Sequence, residues 1–214
     1  GSFSTNMKTL QPWVRRMVVS FCLLGAFSAE AGFQPGTVVA WGWNGYGQTS
    51  IPAGLANVVA IAGGDWHSLA LQSNGTVAAW GNNDGGQTNV PSDLTNAVAV
   101  AGGWFHSLAL KSDGTVVAWG SNASGQTNVP AGLSNVMAVA AGWTHSVALK
   151  NDGTVICWGD NTYGQTNAVF GLGNVKSIAA GGSTVMAAIF SPLVQYPVDV
   201  TKDLLLIYNT NSLD

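Results

Sequence analysis

An all-β, β-propeller-like fold built from 39-residue, three-stranded blades is what this sequence predicts, on three observations. Trp41, Trp80, Trp119 and Trp158 each open a Trp-Gly pair, and successive pairs lie 39 residues apart. Gly47-Gln48-Thr49 recurs at the same step as Gly86-Gln87-Thr88, Gly125-Gln126-Thr127 and Gly164-Gln165-Thr166. A fixed period of this length marks a tandem array in which each unit is one supersecondary motif. Within the units, short runs of aliphatic and β-branched residues flank Asn74-Gly75, Asp113-Gly114 and Asp152-Gly153, and no stretch has helical periodicity.

In order, Gly36-Thr37-Val38-Val39-Ala40-Trp41-Gly42 reads as the closing strand of a hairpin whose first half is missing. A polar turn (44–49) and a connector (51–55) lead to three complete units. Their first strands are Val58 to Ala62, Ala97 to Ala101 and Val136 to Ala140. Their second strands are Ser68 to Leu71, Ser107 to Leu110 and Ser146 to Leu149. The Asn-Gly and Asp-Gly dipeptides predict type I′ turns into third strands that end in Trp-Gly. A fourth unit supplies only Val175 to Ala179 and Val185 to Phe190.

Alternation fixes the packing. Ala60 and Ala62 share one face of their strand and Val59 and Ile61 the other, so both faces are apolar, one small and one large. Small sheets stacked face to face satisfy this pattern, whereas a sheet with one solvated face would alternate with polar residues. A ring of such sheets is a propeller. About four units leave two expectations. Either the strand at 37–41 closes a small ring by pairing with 185–190, or a partial ring completes itself as a homo-oligomer.

The ends read differently. Lys8, Arg15 and Arg16 precede an apolar run from Met17 to Phe27 and then Ala29-Glu30-Ala31. This is the pattern of a signal peptide over 1–31, too short to span a bilayer, and it predicts a secreted or periplasmic protein with no membrane contact after cleavage. The repeat domain occupies 32–190. At 191–214 prolines and then Leu204-Leu205-Leu206-Ile207-Tyr208 suggest a linker and the start of a second, truncated domain. From Gly32 onward there are four lysines, no arginine, nine aspartates and no glutamate. Scattered lysines cannot build a phosphate-neutralising face, so nucleic acid is not an expected ligand.

No constellation points to catalysis, a cofactor or a metal. His67, His106 and His145 recur at one phase of the repeat, the signature of a structural role. Ser107 follows His106 in a strand, so their side chains face opposite ways and cannot share a proton. Loops such as 83–86 and 160–164 lack the terminal glutamate and full spacing of a calcium site. Positions identical in every unit serve the fold, and the Trp-Gly tryptophans are accordingly assigned to the core. Positions that vary are free for function. One variable pair precedes each histidine: Asp65-Trp66, Trp104-Phe105 and Trp143-Thr144. A second set follows Trp-Gly at Trp43, Asn82, Ser121 and Asp160, with Tyr46 and Tyr163 nearby. Large aromatics that the repeat does not need, brought to one rim by its symmetry, suggest a binding surface.

The combination Ala-Trp-Gly-x-Asn-x-x-Gly-Gln-Thr, Ala-Gly-Gly-x-x-His-Ser-Leu-Ala-Leu and Asp-Gly-Thr-Val resembles the regulator of chromosome condensation repeat family. The short period is similar to the bacterial type represented by β-lactamase inhibitory protein II. The resemblance covers Gly36 to about Phe190 and implies a propeller usually of about seven blades, more than the units present here. It also implies recognition through aromatic and aspartate residues on loops of one face. Carried over, these are Asp65, Trp66, Trp104, Phe105 and Trp143, with Trp43 from the second variable set. The expected function is a non-enzymatic, secreted module that binds a protein partner, in its sharpest form inhibiting an extracellular hydrolase. The alternatives are an accessory propeller of a larger exported enzyme and a glycan-binding module.

Overall fold

The computed structural model describes residues 36–167, 172 and 174–189. The expected leader (1–31), linker and apolar strand (191–214) lie outside them. Among the described residues, eleven strands form four antiparallel sheets in chain order. The first holds β1 (Val58–Gly63), β2 (His67–Gln72) and β3 (Val77–Gly81). The second holds β4 (Ala97–Gly102), β5 (His106–Lys111) and β6 (Val116–Gly120), and the third β7 (Val136–Ala141), β8 (His145–Lys150) and β9 (Val155–Gly159). The fourth holds only β10 (Val175–Gly181) and β11 (Thr184–Ile189). Each of the first three sheets is a meander with its middle strand in the centre, the blade the repeat predicts.

The hairpin turns differ from the expected type I′. Gly114 has a positive φ of 76° but Asp113 does not, and Lys111 N–H donates to the Thr115 carbonyl at 2.9 Å. This is a three-residue loop, a type I turn followed by a glycine in the left-handed region. Asp113 favours it because its carboxylate accepts from both the Thr115 amide (3.0 Å) and hydroxyl, an Asx turn that a positive φ at Asp113 itself would break. Asn74-Thr76 repeats the arrangement.

Successive sheets stack face to face as the alternation predicts. Leu69 and Leu71 of the first sheet pack against Val100, Ala109 and Trp119 of the second. Leu108 and Leu110 of the second pack against Val136, Ala148 and Trp158 of the third. Burying each such leucine is worth about 2 kcal/mol. The invariant triplet explains itself here. The Gln48, Gln87 and Gln126 carbonyls each accept the indole N–H of Trp80, Trp119 and Trp158 at 2.8 Å, tying each loop to the next sheet.

The expected intramolecular closure is not formed. Residues 37–41 form no strand and do not pair with β11; the fourth sheet has two strands among the described residues. The segment stays at the first sheet, held by a bridge from Gly36 to Val58 and by Val38 packing near Ala70 and Trp80. Trp41 therefore departs from its core assignment: it is 85% exposed, while Trp80, Trp119 and Trp158 are buried.

Candidate functional site

In each blade the loop joining the first two strands and the loop leaving the third strand emerge at the same edge, because the sheet is an antiparallel meander. Backbone bonds tie them together: Asn82 N–H donates to the Trp66 carbonyl (2.8 Å), Ser121 to Phe105 (2.8 Å) and Asp160 to Thr144 (2.9 Å). The two variable sets thus fall on one rim. Neighbouring blades are joined along it by Asp65 N–H to the Gly103 carbonyl and Trp104 N–H to the Trp143 carbonyl, both at 3.2 Å.

The rim carries two aromatic clusters. Trp43, Tyr46 and Trp66 meet edge to face in all three pairs, with ring centroids 5.2–5.3 Å apart. Trp104 stacks on Phe105 at 5.0 Å and lies 5.9 Å from Trp143. Trp43, Trp104 and Trp143 are 60%, 37% and 47% exposed, and Asp65 is exposed beside them; Trp66 and Phe105 are half-buried supports. Partial burial raises the Asp65 carboxyl above the usual carboxylate range, and a hydrogen bond from the Trp143 side chain opposes that rise. All six residues picked from the sequence share the rim. Tyr46, noted there only as a neighbour, completes the first cluster. The link between Asp65 and Trp143 is not legible in the sequence, because the two lie on the first and third blades with a whole blade between them in the chain.

Under the rim, the three histidines are buried and form a ladder between blades. His67 Nε2 lies 2.9 Å from Ser107 Oγ, and His106 Nε2 3.0 Å from Ser146 Oγ. Each serine gives its one proton to a carbonyl, Ser107 to Gln87 and Ser146 to Gln126. The imidazole must therefore donate from Nε2, leaving Nδ1 bare. Nδ1 has no hydrogen-bond partner among the described residues, so a second proton there would be buried and unpaired. Burial accordingly holds His67 and His106 down at about 4, with the neighbouring histidines adding a smaller push at His106, and burial lowers His145 as well. The partner of His106 is 40 residues away in the next sheet, which is why strand logic within one blade found none.

His145 Nε2 has no such partner, because the position that holds Ser107 and Ser146 in the preceding blades is Val185 in the fourth. Val185→Ser is expected to complete the ladder and raise stability by about 1 kcal/mol. A chemical denaturation midpoint that shifts upward checks this. Among the described residues no three His, Cys, Asp or Glu side chains gather as metal ligands would.

The regulator of chromosome condensation (RCC1) repeat model matches residues 58–87, 97–126 and 137–165. No curated protein matches the chain. Among solved structures, Prp20p of Saccharomyces cerevisiae is similar with a TM-score of 0.57 and 22% identity, over 71% of this chain and 51% of that one. The ectodomain of the receptor kinase CR4 of Physcomitrella patens is similar with a TM-score of 0.56 and 28% identity, over 66% and 40%. Human WBSCR16 gives 0.53 and 26%, over 62% and 44%. The chain spans about half the length, or less, of these structures. Family match, blade topology and stacking agree: the three matched stretches carry the RCC1 repeat, and this region is similar in fold to RCC1-like propeller blades.

Proposed function

We propose that this chain is a secreted or periplasmic recognition module, without catalytic activity, that binds a protein partner through its aromatic rim. The observation that carries this reading is the rim itself. Exposed Trp43, Trp104 and Trp143, backed by Trp66, Phe105 and Tyr46 and flanked by Asp65, stand at positions where the repeat demands no fixed residue. Tryptophan and tyrosine anchors beside a polar group are the composition of binding hot spots. Prp20p, similar in fold, is described with binding properties to Gsp1p and histones, which supports protein recognition as a use of such blades. Inhibition of an extracellular hydrolase by rim insertion is the sharpest form of the proposal and rests on the short-repeat resemblance. The same clusters would also stack on sugars.

The test is differential capture from the secreted fraction with the wild-type chain and with a Trp66→Ala/Trp104→Ala/Trp143→Ala variant. A protein retained by the first and weakened at least about 30-fold by the second is the expected result. Equal retention by both would sink the proposal. Retention of a polysaccharide that the variant loses would move the assignment to glycans.

A further inference from the structure

The two ends of the stack carry the two halves of one blade. Thr37-Val38-Val39-Ala40-Trp41-Gly42 at the first end is identical in sequence to Thr115–Gly120, which contains the third strand β6. The fourth sheet at the other end has two strands among the described residues. The loop after the orphan segment already has the geometry of the repeat. Asn44 Oδ1 accepts from Thr49 N–H at 2.8 Å as Asn83 does from Thr88 at 3.0 Å. Gly42 has a φ of 113°, against 107°, 101° and 103° at Gly81, Gly120 and Gly159. Residues 37–42 therefore stand where the third strand of a preceding blade belongs. No other strand of that blade stands beside them among the described residues, and Val39 is 72% exposed.

At the far end a cleft of about 450 Å³ is lined by Val155, Cys157, Gln165, Val185 and Ala187. Inside the stack the matching place is filled by a Trp-Gly tryptophan bonded to the carbonyl of the preceding Gly-Gln-Thr glutamine. Gln165 is the fourth glutamine of that series, and among the described residues its carbonyl receives no indole. The stacking faces tell the same story. Met186 is 64% exposed where its counterparts Leu69, Leu108 and Val147 are fully buried, and Ile61 is 64% exposed where its counterpart Val100 is buried.

We infer that strand 37–42 of one copy completes the fourth sheet of a second copy, with Trp41 seated in the Gln165 cleft. The β8–β9 register, carried one blade on, sets Gly42 opposite Thr184, Ala40 opposite Met186 and Val39 opposite Ala187. Met186 and Ile61 are then covered by the junction that covers their counterparts. Made twice around a two-fold axis, the exchange closes a ring of eight three-stranded blades with no free edge, within the range that propellers adopt.

The test uses the full chain with Cys22 and Cys157 replaced by alanine. Val39→Cys and Ala187→Cys variants with different tags are co-expressed and oxidised, and unmodified protein is weighed by light scattering. A dimer mass and a covalent heterodimer are expected, because directly opposed strand residues lie within disulfide reach. Trp41→Ala is expected to raise the dimer dissociation constant about 30-fold or more, with the circular dichroism of the monomer unchanged. A monomer mass, a disulfide formed only within one doubly substituted chain, or a dimer indifferent to Trp41→Ala would overturn the inference.

Discussion

Acidification from pH 7 to pH 4 is expected to remove several kcal/mol of stability. His67 and His106 are held neutral with pKa values of about 4, against an ordinary value of 6.5 in the unfolded chain. Between those values the unfolded state binds more protons than the folded one, so stability rises with pH across the window and is lost as pH falls through it. At about 1.4 kcal/mol for each unit, each histidine contributes about 3 kcal/mol, and His145 acts in the same direction. Denaturation midpoints at pH 7, 5.5 and 4.5 should fall steadily. His106→Gln, which can keep a donor near Ser146 without titrating, should flatten the slope. A midpoint constant from pH 7 to pH 4.5 would show that the ladder is not held neutral.

Trp119→Ala is the second large effect, about 3–5 kcal/mol of destabilisation. Its indole packs within the cluster that joins the first two sheets, near Val77 and Ala79, and its N–H is the donor to the buried end of the loop at Gln87. Truncation leaves a cavity and takes from the Gln87 carbonyl one of its two donors, Ser107 being the other, so the cavity is the larger cost. Trp143→Ala, at an exposed rim position, should change the denaturation midpoint little. Equal losses from the two substitutions would mean that rim and core are not energetically distinct.

Much of this was legible in the chain because a repeat states each rule several times. The 39-residue step, the blade topology and the stacking faces all follow from residues that recur, and the rim follows from residues that do not. What escaped was whatever crosses between units. The His–Ser ladder joins residues 40 apart, and the indole-to-carbonyl lock joins residues 32 apart, distances at which a sequence gives no direction for a side chain. The turn type was misread for a local reason: Asp-Gly permits two left-handed residues, but the Asp113 bonds to Thr115 favour only one. Analogy with its copies assigns Trp41 to the core, and it stands outside because no other strand of its blade covers it among the described residues.

The central claim, that variable positions gathered on one rim form the recognition surface, is tested most directly by amide hydrogen exchange on the captured complex. Protection is predicted at 43–46, 64–67, 103–106 and 142–145, the loops that carry the aromatic clusters. Protection confined to the opposite edge, at the hairpin turns 73–75, 112–114 and 151–153, would contradict it.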